Sequence, residues 1–127
     1  NSKIENMAYA GIFALKSKIS AYNSLVANCG FYAVALLVGG DYEFYHTTIA
    51  NYWGGFSRKP RKTSSLVISN SLSFESADGK EVVYLGDLNK AHFGNSIVFG
   101  NYPVELELGI NKDKLFNYYF THNYKRR

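Results

Sequence analysis

The chain has a single cysteine and no long apolar run. Cys29 is its single cysteine, which excludes an internal disulfide and a zinc cluster built from several cysteines. A reducing compartment, or one where disulfides are not needed, fits best. The longest apolar run, residues 31–38, is far shorter than the roughly twenty residues of a membrane-spanning helix. The N-terminus also lacks the basic-then-apolar pattern of a signal peptide. We therefore expect a chain with no membrane segment.

Proline is also scarce, with two residues in the chain, whereas aromatic residues are abundant. Of the 127 residues 46% are hydrophobic and 19% are charged, which predicts a single domain over 1–127 with one core. The 11 Tyr and 9 Phe supply large apolar surfaces, many with a polar tip, which are favoured in contacts between proteins. Composition therefore predicts a homo-oligomer or a complex with other protein subunits, and no membrane partner.

The net charge of +4 belongs mainly to one predicted loop and to the C-terminal tail, residues 125–127. Aromatic rings beside cations can stack on single-stranded bases while the cations neutralise phosphates. This pattern indicates a weak nucleic-acid contact. A solvated surface loop with its aromatic residues turned into the core is the alternative interpretation. The candidate nucleic-acid-binding residues are Trp53, Arg58, Lys59, Arg61 and Lys62.

The first quarter of the chain has the pattern of an amphipathic helix. Ser2 and Glu5 form a capping box, and apolar residues recur at spacings of three and four. Gly30 is a natural helix end. The sequence therefore predicts a helix over residues 2–28.

The middle of the chain predicts two β-hairpins. Residues 31–38 and 42–49 are apolar or β-branched and are separated by Gly39-Gly40, which favours a tight reversal. The alternating segment 66–75 is followed by Asp78-Gly79, a strong turn signal, and by the segment 81–85. These features together predict the second hairpin.

Near the C-terminus we expect a strand over 96–99 and a second strand over 104–108. In the second strand the apolar residues alternate with Glu105 and Glu107, so both carboxylates are predicted to face solvent. Asn111 can cap a short closing helix that carries Tyr118 and Tyr119. The predicted fold class is α+β: an N-terminal helix on a mainly antiparallel sheet of about five to six strands, with a short C-terminal helix and no internal repeat.

A Cys-His hydrolase is one possible enzyme, with Cys29 as nucleophile and His92 as base. A nucleophilic cysteine is best activated at a helix N-terminus, where the dipole lowers the thiol pKa. The predicted helix places Cys29 at its C-terminus, which favours a small buried thiol instead.

The histidines allow a second enzymatic interpretation. His46, His92 and His122 could supply the acid and the base of a metal-independent, toxin-like nuclease, with Lys62 or the C-terminal tail binding phosphate, although their spacing carries no specificity. His46 is expected within an alternating strand. Metal-ligand spacings and the glycine-rich nucleotide motifs are missing from the sequence, so no metal site and no cofactor are predicted.

The segment 94–109, with the sequence GNSIVFGNYPVELELG, resembles part of the minor tail and tail-completion (neck) proteins of tailed phages. The resemblance implies a subunit that joins in rings in the virion, and a location in the virion or the host cytoplasm. The leading prediction is accordingly a non-enzymatic structural or assembly protein. The basic nucleic-acid binder or nuclease and the Cys-His hydrolase remain as alternatives. The candidate interface residues are Tyr102, Glu105, Glu107, Tyr118 and Tyr119.

Overall fold

The structure is a computed structural model that describes residues 2–7, 9–52, 63–100, 105–121 and 124–125. Within these ranges every regular element is a β-strand and no helix occurs. The strands are β1 Lys3–Glu5, β2 Ala10–Tyr22, β3 Leu25–Ala27, β4 Tyr32–Tyr45, β5 Thr48–Asn51, β6 Leu66–Ser69, β7 Ser71–Glu75, β8 Glu81–Leu85, β9 Leu88–Gly94, β10 Ile97–Gly100, β11 Leu106–Gly109, β12 Tyr119–Thr121 and β13 Tyr124–Lys125.

The first sheet consists of short strands in chain order. β1, β3, β5, β10 and β13 lie side by side, and every neighbouring pair is parallel. Ile4 pairs with Val26, Val26 with Ile49, and Ile49 with Val98. Neighbouring strands are about 4.8 Å apart, so each strand lies one such step further along a common axis.

The second sheet is centred on β4. β2 pairs with β4 along one side. On the other side β6 pairs with residues 34–36 of β4, and β9 pairs with residues 40–45. β11 then pairs with β6, and β12 with β9, all in parallel. The predicted antiparallel sheet is therefore wrong for both main sheets.

These registers describe a parallel β-solenoid, in which each coil adds strands to both sheets. Lys3, Leu25, Thr48 and Ile97 are successive register partners, so the coils contain 22, 23 and 49 residues. The third coil is longer partly because the antiparallel hairpin of β7 and β8 is inserted between β6 and β9. The same coil contains residues 53–62, which lie outside the described ranges.

Like side chains stack on like inside the solenoid because the coils are in register. The rings of Phe44 and Phe93 are parallel within 3°, with centroids 4.8 Å apart, and Phe120 follows at 5.1 Å from Phe93. Aliphatic side chains form a similar row through Leu36 and Ile68, both fully buried. Burial of apolar area at about 25 cal/mol per Å² is the main stabilising term.

Asparagine recurs at the corners, where the backbone takes left-handed dihedrals. Asn23, His46 and Asn95 have φ values of 51°, 53° and 49° and immediately precede the corner before β3, β5 and β10. Asparagine tolerates this region better than most residues. At the next corner the buried Asn51 Oδ1 accepts a hydrogen bond from the Cys29 amide at 2.5 Å, so side chains link adjacent coils.

The helix predicted over 2–28 is wrong, since this segment contains β1, β2 and β3. The register of β2 shifts between Leu15 and Ser17, where Lys16 has a φ of 50°. A bulge of this kind reverses the phase of inward and outward side chains. Apolar residues on the two sides of this bulge are therefore separated by three or four residues, as they would be on one face of a helix. Because this helix is absent from the described residues, the predicted α+β fold class is also wrong.

Two further predictions are wrong. Gly39 and Gly40 make no hairpin; β4 runs through them, with φ values of 73° and 132°. A Cβ at Gly39 would lie 2.4 Å from the Asp87 carbonyl oxygen, so the third coil presses against this bend. Residues 111–121 form turns and β12 instead of a closing helix.

The second hairpin and the strand near residue 97 are confirmed. β7 and β8 pair antiparallel from Ser71 and Leu85 to Glu75 and Glu81, with Gly79 at a φ of 82° in the turn. β10 covers most of the strand predicted over 96–99. Both segments carry strong local signals, a turn dipeptide and β-branched residues, which do not depend on the coil arrangement.

We predict that Asn51→Ala destabilises the fold by about 1 to 3 kcal/mol, because the buried Cys29 amide loses its acceptor. Urea unfolding followed by circular dichroism measures the change. Asn89→Ala is the matched control, since Asn89 is exposed and should be neutral. Equal stability of the two variants would contradict the corner contact.

Candidate functional site

Aromatic side chains form a continuous row across the coils on the outer face of the second sheet. Tyr22, Tyr45, His92 and Tyr119 come from β2, β4, β9 and β12, and we call them the aromatic file. Ring centroids are 5.5 Å apart for Tyr22 and Tyr45, 4.9 Å for Tyr45 and His92, and 5.0 Å for His92 and Tyr119. The two end residues are well exposed, Tyr22 at 48% and Tyr119 at 56%.

Strand alternation sets the direction of this row. In β4 the side chains of Tyr42 and Phe44 are buried, while Glu43 and Tyr45 are partly exposed. Gly94 makes room for the row, because a Cβ there would lie 2.6 Å from the Tyr45 ring. The Tyr45 ring therefore passes over Gly94 of the next coil, and its hydroxyl is 2.7 Å from His92 Nδ1.

An ion pair lies beside the aromatic file. Lys90 Nζ is 3.1 Å from Glu43 Oε1. The hydrogen bond from Lys90 lowers the pKa of the Glu43 carboxyl below its usual 4.5, and the same contact raises the pKa of Lys90. Partial desolvation, followed by the charge of Glu43, raises the pKa of Tyr45. Near neutral pH the face therefore presents a fixed pair of charges next to protonated tyrosine.

Cys29 is completely buried at the corner between β3 and β4. Its thiol lies 3.4 Å from the Ala27 carbonyl oxygen, to which it donates a hydrogen bond, and burial raises the pKa of the thiol. A nucleophilic cysteine needs the opposite shift together with access to substrate. These features favour the packing role. The helix end expected at this position does not exist, and the residue lies in a solenoid corner.

The structure does not bring Cys29 and His92 together. Cys29 precedes β4, whereas His92 pairs with Glu43 near the far end of that strand. His46 occupies an exposed corner with a φ of 53°, so its expected place within an alternating strand is wrong. Among the described candidate catalytic residues His92 alone belongs to the aromatic file, and His122 lies outside the described residues.

The prediction that Glu105 and Glu107 both face solvent is correct for Glu107 and wrong for Glu105. Glu107 in β11 is exposed as expected. Glu105 precedes the strand and is completely buried, and its Oε1 accepts hydrogen bonds from the Ser65 amide at 3.0 Å and the Ser65 hydroxyl at 2.7 Å. The prediction is wrong for Glu105 because β11 begins at Leu106, so the alternation of the strand does not reach Glu105. Glu105 therefore ties two coils together and cannot be an interface residue.

The remaining candidates are divided between described and undescribed segments. Tyr119 closes the aromatic file, and Tyr118 is exposed with its ring against Phe116 and Phe120. Tyr102 and the basic loop lie outside the described residues, so the nucleic-acid contact stays a prediction. The residues concerned in that loop are Trp53, Arg58, Lys59, Arg61 and Lys62.

The described part of the chain contains no group of three or more His, Cys, Asp or Glu residues that could hold a metal ion. Across the same residues, no helix has the length and apolar character required to cross a membrane.

No family model, curated protein or solved structure matches this chain. The resemblance of 94–109 to phage tail-completion proteins therefore stays a prediction. In the structure the described parts of that segment are β10 and β11 of the solenoid, in place of an antiparallel sheet.

Sequence reasoning missed four residues of this face: Tyr22, Glu43, Tyr45 and Lys90. Tyr22 and Tyr45 are register partners one coil apart. Their separation matches the spacing between Asn6 and Asn28 within one residue. Aligning the segments by these asparagines would have placed the two rings side by side.

We predict opposite outcomes for the same substitution at two neighbouring positions. Glu105→Lys should destabilise the fold by about 3 kcal/mol or more, because it removes the Ser65 acceptor and buries an ammonium group. Glu107→Lys should change the free energy of unfolding by less than about 0.5 kcal/mol. Thermal and urea unfolding of both variants provide the measurement. A stable, fully folded Glu105→Lys protein would show that Glu105 is exposed after all.

Proposed function

We propose that this chain is a non-enzymatic binding protein whose aromatic file holds an extended polysaccharide. The observation that carries the proposal is the continuous row of Tyr22, Tyr45, His92 and Tyr119 on the outer face, in contact from coil to coil. Exposed aromatic rings aligned across several coils are not required by the core, which already has its own phenylalanine stack.

The chemistry of the face suits a chain of sugars. The negative face of an aromatic ring attracts the positively polarised C–H groups on one side of a pyranose. Glu43 supplies acceptors and Lys90 supplies donors for hydroxyl groups on the same ligand. Coils repeat at about 4.8 Å, so a linear polymer along the axis meets equivalent surfaces in succession.

The same geometry argues against catalysis. The contact with Lys90 keeps Glu43 ionised, whereas a general acid needs a pKa near the working pH. Cys29 is buried away from this face. The face has the side chains for binding, and the lowered pKa of its Glu43 carboxyl group is unsuited to protonating a leaving group.

We predict that Tyr119→Ala and Tyr22→Ala each weaken polysaccharide binding by roughly 1 to 2 kcal/mol, the range of a contact residue at an interface. Isothermal titration calorimetry with a panel of soluble neutral and acidic polysaccharides measures this change. Tyr84→Ala is the control, because Tyr84 is equally exposed but lies on the inserted hairpin.

Binding by no member of the panel, or equal losses in all three tyrosine variants, would contradict the proposal. Release of reducing ends from a bound polysaccharide would show instead that the face is catalytic.

Assembly with further subunits is a second candidate, supported by a separate apolar cluster near the first corner. The rings of Tyr9 and Phe31 are stacked at 5.0 Å, and Phe13 lies 5.8 Å from Tyr9. Met7, Phe13 and Leu15 are each more than two-fifths exposed. Contiguous exposed apolar side chains of this kind mark contacts between proteins. A ring subunit of a virion would use such a surface.

We predict concentration-dependent self-association that Phe13→Ser weakens by about tenfold, a loss of one buried aromatic contact. Sedimentation equilibrium gives the association constant. Val83→Ser on the exposed hairpin is the control and should have no effect. A chain that stays monomeric at all concentrations would remove self-assembly from the candidates.

A further inference from the structure

A polar groove of about 390 Å³ lies at the bend of the second sheet, on the strands that carry the aromatic file and about four residues before it. Successive coils contribute to its walls: Lys16 and Lys18 from the first, Asp41 from the second, Asp87 from the third and Lys114 from the fourth. The groove is continuous with the file by register, since Lys18 pairs with Asp41 and the next outward pair along these strands is Ser20 and Glu43.

The backbone around the groove is held in a fixed shape. The bulge between Leu15 and Ser17 turns Lys16 outward, and the Gly40 amide donates a hydrogen bond to the Asp87 carbonyl at 3.0 Å. Gly39 has no space for a side chain against Asp87. The first three coils are therefore locked against each other at this corner.

Asn70, which is completely buried, fixes the part of the groove that the fourth coil contributes. Its Nδ2 donates to the carbonyl oxygens of Asn111, Lys114 and Leu115 at 2.9 to 3.2 Å, and its Oδ1 accepts from the Asn111 amide at 2.7 Å. Asp87 Oδ1 accepts from the Leu115 amide at 3.0 Å. These contacts hold the Lys114 backbone at the edge of the groove.

The charges around the groove are unbalanced. Lys16, Lys18 and Lys114 are exposed, and none of them forms an ion pair within the described ranges. Two carboxylates, Asp41 and Asp87, also line the groove, so the three lysines leave one positive charge in excess. An excess of positive charge along a groove favours an anion.

We propose that this groove is an anion subsite that receives a charged group of an acidic polysaccharide, while the aromatic file further along the same strands stacks on its sugar rings. The inference rests on the proposed function for the polymer, but the anion subsite has its own chemistry. Carboxylate, sulfate and phosphate substituents share that chemistry. The groove and the file are about 13 Å apart along β2 and β4, so the charged group and the stacked ring belong to different sugar units of one polymer.

The test is an NMR titration of the ¹⁵N-labelled chain with glucuronate, with inorganic sulfate and with glucose as the uncharged control. Glucuronate or sulfate should shift the amide signals of Ser17, Gly40 and Asn89, which line the groove, and glucose should not. Whichever of glucuronate and sulfate binds more tightly shows which kind of charged substituent the groove receives. The triple variant Lys16→Gln, Lys18→Gln, Lys114→Gln should weaken this binding about tenfold or more.

The control variant replaces three exposed lysines outside the groove, Lys3, Lys80 and Lys112, by Gln, which lowers the net charge equally. Equal weakening by both triple variants, or no shift with either anion, would overturn the subsite. So would a single-stranded oligonucleotide that binds here when glucuronate and sulfate do not. Failure of the proposed function has a different signature: anions shift these amides, but no polysaccharide binding depends on Tyr22 or Tyr119.

Discussion

Parallel hydrogen bonding between successive coils is the constraint on which the rest of the structure depends. The backbone groups of each strand are satisfied by the coil below and the coil above, because every buried N–H and C=O requires a partner. The register places each side chain about 4.8 Å from its counterpart. Residues in equivalent positions must therefore suit the same environment, as Val26, Ile49 and Val98 do in the first sheet.

The same register that builds the core also organises the outer face. Phe44 stacks on Phe93 inside, and one residue further along the strand Tyr45 reaches over Gly94 to His92 outside. Departures from regularity collect where binding is proposed: the bulge at Lys16, the bend at Gly39 and the inserted hairpin all meet at one corner. Bulges and insertions are the usual means by which a sheet redirects side chains toward a ligand.

Local signals were readable from the sequence, and the coil architecture was not. The Asp78-Gly79 turn and β10 were predicted correctly because a few neighbouring residues determine them. A four-residue motif recurs in the chain: Asn or His, then Ser or Thr, any residue, and Ile or Val. It begins at Asn1, Asn23, His46 and Asn95, so the expectation of no internal repeat is wrong. Insertions lengthen the last spacing, which hides the period. In the site, His92 and Tyr119 were named, whereas Glu105 was misplaced because alternation does not continue past the start of β11.

The stacking of coils is tested most directly by backbone proton contacts in solution, measured as nuclear Overhauser effects. Stacked coils predict contacts between Val26 and Ile49 and between Ile49 and Val98, residues far apart in sequence but adjacent in register. Residues 10–22 should show the extended pattern of a strand. A helical pattern of contacts three residues apart within 10–22, or antiparallel contacts between 31–38 and 42–49, would contradict the solenoid.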